Sequence, residues 1–161
     1  MSSKIRGFLG VLALLGACGC STILNFGSSD LSRLRDAVPT GTPFEKEQFR
    51  DYAYLARSFG DSPSGELESL AGEFATKAMT AASGEDALPE EPQNAAERQA
   101  SARLAHVLES GRSTHPAEAA TAQAQYDCWI LNGRVSAQAR SARACHTAFE
   151  DAVAGLEAQS P

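Results

Sequence analysis

Apolar positions recur along this chain at helical rather than extended intervals. Thr42-Pro43-Phe44-Glu45 marks a firm start, with Thr suited to an N-cap, Pro to the first helical position and Glu to the position that reaches back to the cap. Phe49, Tyr52, Ala53, Ala56 and Phe59 then form one face, with Glu45, Lys46, Arg50, Asp51 and Arg57 off it. Gly60-Asp61-Ser62-Pro63 closes that helix and opens a second, whose buried face is Leu67, Leu70, Ala71, Phe74, Ala78 and Ala81. A third runs from about Ala95 to Glu109 through Ala100, Leu104, Val107 and Leu108, with Gly111 as its stop. Pro116 starts a fourth, capped by His115 or Thr114 and ending at Asn132-Gly133. The last carries Ala142, Cys145, Phe149, Ala152, Val153 and Leu156. Leu31 to Val38 predicts a short turn or helix. Ser83 to Asn94, with Gly84, Pro89, Pro92 and four acidic residues, reads as an exposed loop. No stretch alternates with period two, so the pattern predicts an all-α compact bundle of about five helices.

One apolar run breaks this pattern, at the N-terminus. Lys4 and Arg6 precede Phe8 to Leu15, an apolar core well short of the ~20 residues a membrane span needs, and this order is that of a secretory signal peptide. Leu15-Gly16-Ala17-Cys18 resembles the bacterial lipobox. That resemblance implies a diacylglyceryl thioether on Cys18, cleavage before it and acylation of the new amine, a multi-chain anchor that holds firmly where one chain holds marginally. Cys20 is a competing acceptor, with Ala17 then standing where the lipobox has Leu. The chain divides accordingly into residues 1–17 as lipoprotein signal peptide, 18–30 as lipidated Cys and flexible tether, and 31–161 as helical domain. No acidic residue directly follows Cys18, and by the same resemblance the destination is the outer membrane, facing the periplasm.

Composition changes the picture in two ways. Among 161 residues there are 29 alanines, two Met and a single Trp, so close helix contacts lined by Ala must be fixed by few large side chains. Loss of Lys4 and Arg6 with the leader takes the net charge from −6 to −8, which excludes nucleic acid, a partner bound chiefly through Lys and Arg. Chemistry is sparse. His106, His115 and His146 read as structural or surface residues, Glu90-Glu91 as solvated charge, and no nucleophile elbow, phosphate loop or zinc-protease motif occurs. The expectation is no enzyme, and no cofactor beyond the acyl chains on Cys18.

Cys128 and Cys145 remain as an even pair in an exported domain, which reads most simply as a disulfide across the Asn132-Gly133 turn. Sixteen residues lie between them, a loop whose closure is worth about 3 kcal/mol. A zinc site would recruit His146 and His106, but adjacent Cys145 and His146 point apart on a helix; no metal is expected. Tyr126 and Trp129, with Tyr52 and Tyr54, are the aromatic candidates for recognition, weighed against a place in the core. Two roles follow: a lipid-tethered module docking on another envelope protein, or a binding module for a lipid or small apolar ligand. A cavity lined by Leu67, Leu70, Phe74, Leu104, Leu108 and Trp129 would favour the second.

Several segments, in order, resemble a known family. These are Thr42-Pro43-Phe44; Phe74-Ala75-Thr76-Lys77-Ala78 with Ala81-Ala82-Ser83-Gly84; Leu88-Pro89-Glu90-Glu91; and Ala120 to Trp129 ending in Tyr126-Asp127-Cys128-Trp129, followed by Cys145 and Phe149. Over roughly residues 40–157 they are similar to the helical N-terminal region of alphaproteobacterial OmpA-like outer-membrane proteins. The stretch after the Asp-Cys-Trp box departs from that family, and its peptidoglycan-binding module is missing here. The resemblance therefore implies an envelope helical domain without direct peptidoglycan binding.

Overall fold

Thr42 and Pro43 start the first long helix as their types require. In the computed structural model, α1 spans Pro43–Gly60, and the Glu45 carboxylate accepts hydrogen bonds from the Thr42 hydroxyl and, at 2.7 Å, from the Thr42 N–H. The structure describes residues 31–60 and 65–159. The signal peptide, Cys18, Cys20, the tether and the Asp61-Ser62-Pro63 turn lie outside the described residues. Four more helices follow: α2, Gly65–Ala82; α3, Ala95–Thr114; α4, Pro116–Gly133; and α5, Ala139–Gln159. A 3-10 turn, Ser136–Gln138, joins the last two. Residues 31–33 form a single helical turn, and no strand occurs among the described residues. The protein is an all-α bundle.

Helix α4 is its axle. α1 pairs with α2, α5 pairs with α4, and α4 also touches α1 and α3. Its buried residues accordingly point in every direction: Ala119, Ala120, Ala122, Ala124, Tyr126, Cys128 and Ile130, with the polar Gln123, Asp127 and Asn132. A helix buried all round needs neighbours on all faces. On one side of it, Tyr52, Leu70, Phe74 and the Ala75–Ala78–Ala81 ridge form one core cluster. On the other, Phe44, Leu104, Val107, Phe149, Val153 and Leu156 form the second. Trp129 packs against both. The alanines of α2 and α4, 0% exposed at Ala71, Ala75, Ala119 and Ala120, permit the close helix approach that their abundance implies.

Three expectations need correction. Phe49 and Phe59 are only partly buried; the face of α1 is rotated toward Phe44, Gln48, Tyr52 and Leu55, because the core lies under the helix start as well as its middle. Gly111 does not stop α3, which runs on to Thr114. It is buried where α3 crosses its neighbours, and a Cβ there would meet Ala119 Cβ at 3.4 Å and Leu156 Cδ2 at 3.5 Å. His115 caps both α3 and α4 by backbone alone, while the Thr114 hydroxyl donates back to Ser110 O. The third correction concerns the loop from Ser83 to Asn94, treated below.

Two glycines set where that loop leaves α2. Gly84, at φ 82°, ends the helix with its N–H on Ala81 O and the Glu85 N–H on Thr80 O, a Schellman arrangement. Gly41, at φ 87°, crosses it so closely that a Cβ on Gly41 would lie 2.8 Å from Gly84 Cα. The Thr40 N–H and hydroxyl both donate to Ala82 O, tying the chain before α1 to the end of α2. Gly41→Ala should therefore cost about 1–3 kcal/mol, combining left-handed strain with a backbone clash. Gly155→Ala, inside α5 with open space around it, should instead stabilise by about 0.5–1 kcal/mol. Urea midpoints of the two variants test both signs.

Candidate functional site

Asp127, Cys128 and Trp129 stand on successive positions of α4, about 100° apart around the helix axis. Each therefore enters a different environment. Cys128 meets Cys145 of α5 with Sγ atoms at bonding distance and Cα atoms 5.7 Å apart. The Asn132 Nδ2 donates to Cys128 O at 2.8 Å beside it.

Trp129 turns toward α5 and α3. Its ring lies 4.1 Å from that of His146, with Tyr126 edge-on at 6.1 Å and Phe149 at 6.2 Å. Gln99, Arg103, His146 and Glu150 border it in a cleft of about 180 Å³. Arg103 spans the cleft, donating to Glu150 at 2.6 Å and to both oxygens of Glu157. Trp129 is thus half-buried rather than enclosed. Tyr126 and Tyr52 are fully buried, so they pack rather than face solvent, whereas Tyr54 is 69% exposed.

Asp127 turns the other way, into a buried polar cluster. The Tyr52 hydroxyl donates to its Oδ2 at 2.6 Å and the Glu90 N–H to its Oδ1 at 2.7 Å. Lys77 Nζ stands 3.1 Å from Asp127 Oδ2, 3.1 Å from Glu90 Oε1 and 2.6 Å from Leu88 O, which satisfies all three of its protons. Glu90 Oε2 takes Arg134 at 2.9 Å. Behind them Gln123 donates to Tyr52 Oη at 3.1 Å, and the amides of Gln123 and Gln48 both donate to Ala87 O. Burial pushes the Asp127 carboxyl up to about 6, with Lys77, Tyr52 and the Glu90 N–H pulling the other way. Burial, and then the neighbouring Asp127 charge, drives the Tyr52 hydroxyl well above its ordinary value.

The cluster corrects the reading of Ser83 to Asn94 as wholly exposed and of Glu90 as solvated charge, while Ser83, Glu85, Leu88, Glu91, Gln93 and Asn94 do stand exposed. Ala87 is 3% exposed, Glu90 is bonded on both sides, and Arg112 holds Asp86 at 2.6 Å. Residues 85–94 form a strap clamped across α1, α2 and α4. Asp86 meets Arg112 of α3, and Glu90 meets Lys77 of α2 and Arg134 just past α4, so these two charges do not lift it into solvent. Gln48, Lys77 and Gln123 had no place in a periodicity argument. Lys77, Glu90 and Asp127 do all fall within the segments quoted for the family resemblance, the one sequence signal that touched them.

The six residues considered as a cavity lining do not share one chamber. Leu67, Leu70 and Phe74 belong to the first core cluster and Leu104 and Leu108 to the second. Cys145 and His146 part as helical geometry requires, the first to Cys128 and the second to Trp129 and, at 3.6 Å, Glu150. Among the described residues no three His, Cys, Asp or Glu side chains gather as metal ligands would, and no helix is long and apolar enough to cross a membrane. Compared with known proteins, the chain matches no family model, no curated protein and no solved structure.

Proposed function

We propose that this chain is a bacterial envelope lipoprotein, held to the outer membrane through Cys18, whose helical domain is a non-catalytic interaction module facing the periplasm. The observation that carries the reading is the cysteine pair: Cys128 and Cys145 meet at bonding distance in a domain that follows a signal-like N-terminus. Such pairs persist in oxidising compartments, the periplasm among them. The Lys4/Arg6, Phe8 to Leu15 and Leu15-Gly16-Ala17-Cys18 order supports the anchor. The half-buried Trp129 with His146 and the exposed Tyr54 supply aromatic surface of the kind interfaces use. The binding-module reading, for a lipid or small apolar ligand, has less support, since its lining residues divide between two filled clusters.

Expression in a bacterial host with and without globomycin, followed by intact mass, tests the anchor. The treated cells should accumulate uncleaved precursor, and Cys18→Ala should lose the acyl mass while Cys20→Ala keeps it. Normal processing under globomycin would remove the lipoprotein reading. Crosslinking in intact cells tests the module: recovery of an envelope protein supports docking, and co-purifying lipid with no partner reverses the ranking.

A further inference from the structure

Cys128 and Cys145 are unequal ends of their pair. Cys128 lies on α4, the helix buried all round, and is 1% exposed; Cys145, in the first half of α5, is 9% exposed. Asn132, one turn along α4 from Cys128 and fully buried, donates from Nδ2 to Cys128 O at 2.8 Å and to Cys128 Sγ at 3.5 Å. The Oδ1 of the same amide is buried with no hydrogen-bond partner. A half-satisfied buried amide costs stability, so packing alone gives no reason for an asparagine there. What it supplies is an N–H aimed at one sulfur of the pair.

The chain around the other sulfur is thinly packed. From Gly133 to Ala148 the buried residues are Ala142 and Cys145, and none lies in the 3-10 turn. Val135 is only partly buried against the first cluster. Phe149, Val153 and Leu156 hold the rest of α5. Segments with so few apolar contacts open first in native proteins. Opening of residues 133–148 gives an incoming thiol a path to Cys145, while Cys128 stays within α4.

We propose that the pair is a directional thiol–disulfide exchange site for a protein dithiol, with Cys145 the sulfur attacked and Cys128 the sulfur that leaves. This rests on the two cysteines being bonded in an exported domain, as the proposed function does. A partner thiolate forms a bond to Cys145 Sγ; the Cys128–Cys145 bond breaks and its electron pair leaves on Cys128 Sγ. There the Asn132 N–H meets the new charge until a proton arrives from solvent. The partner's second thiolate then attacks its own sulfur in the mixed disulfide and expels Cys145 as a thiolate, which also takes a proton. The partner ends as a disulfide and both cysteines as thiols, two electrons and two protons having passed to the pair. Exchange is fastest where the attacked sulfur is accessible and the leaving thiolate is stabilised, and both conditions select the same direction here. Once the bond is gone, residues 133–148 lose their firmest tie. His146 then parts from the Trp129 ring, now 4.1 Å away, and the cleft beside it widens.

Reduced glutathione serves as the probe on the full-length chain. Exchange is stopped with N-ethylmaleimide and each cysteine is mapped by peptide mass. Mixed disulfides should carry glutathione on Cys145 and maleimide on Cys128, with a preference of about tenfold or more. In urea the two sulfurs should be taken about equally. A native preference for Cys128, or none, overturns the proposal. Asn132→Asp, nearly isosteric, sets an acceptor where the N–H stood; native exchange should slow by about fivefold or more and nearly match wild type in urea. An unchanged native rate overturns the proposal, and the wild-type mapping stands whether or not this variant folds. Reduction with dithiothreitol should raise amide hydrogen exchange in residues 133–148 while α1 and α2 stay protected; loss of protection throughout overturns the local release. Maleimide on both cysteines before any glutathione is added shows an unbonded pair, and removes the support for the proposed function together with the exchange.

Discussion

Lys77→Met should cost the domain about 3–5 kcal/mol at pH 7.5, the range for removing one partner of a buried ion pair. The size follows from what is left behind rather than from what is lost. Asp127 has no exposed surface, and Lys77, itself only 14% exposed, is the cation within reach of it. The penalty carries a pH signature. Because the folded carboxyl already lies above its unfolded value, Asp127 contributes stability that is present at low pH and lost as pH rises through about 6. Taking Lys77 away removes a pull toward the charged form and moves that loss to still higher pH. Urea midpoints should thus show a smaller deficit at pH 5 than at pH 7.5; a deficit equal at both, or below about 1 kcal/mol, would contradict the arrangement. Since domains of this kind hold only about 5–15 kcal/mol in total, the variant at neutral pH approaches the edge of folding.

Phe149→Ala should be comparably severe, about 3–5 kcal/mol, for an apolar reason. Phe149 is 0% exposed, and its ring sits 5.6 Å from Tyr126 and 6.2 Å from Trp129. It is one of three fully buried aromatic side chains of the second cluster with Phe44 and Tyr126, and the four alanines there, Ala100, Ala119, Ala120 and Ala122, are too small to collapse into the space. The single Trp makes the effect visible: emission from Trp129 should shift to the red as its packing loosens. Phe149→Leu should recover most of the stability. An alanine variant with wild-type midpoint and emission would mean that the Tyr126–Trp129–Phe149 group does not brace α5 against α4.

What the chain disclosed in advance was its periodic part. The Thr42-Pro43-Glu45 start, the Pro116 start, the Ala-lined stripe on α2 and the Cys145–Phe149–Val153–Leu156 stripe on α5 rest on local geometry, which a sequence states directly. The strap was hidden because its composition, Gly84, Pro89, Pro92 and four acids, is also that of a solvated loop. What distinguishes the two is whether Lys77, Arg112 and Arg134 stand opposite it, and that is a fact of tertiary pairing. Asp127, Gln48 and Gln123 were missed for a related reason: a scheme that sends polar residues outward has no slot for polar residues buried against each other. Gly111 shows the same limit on a small scale, since a glycine near a helix end can serve either as a terminator or as a crossing point, and only Ala119 and Leu156 decide which.

The Asp-Cys-Trp triplet on α4 acts as a rotational key. Its three teeth engage three locks at once: the strap, the cysteine of α5 and the aromatic cleft. Substituting one tooth leaves the other two aligned, but inserting or deleting a single residue between Pro116 and Asp127 turns the triplet by about 100° relative to everything before it. The carboxylate would then face an apolar neighbour and the thiol a polar one, with no compensating slip available, because each lock accepts a different chemistry. Helix α4 is thus a segment in which length is constrained more tightly than composition.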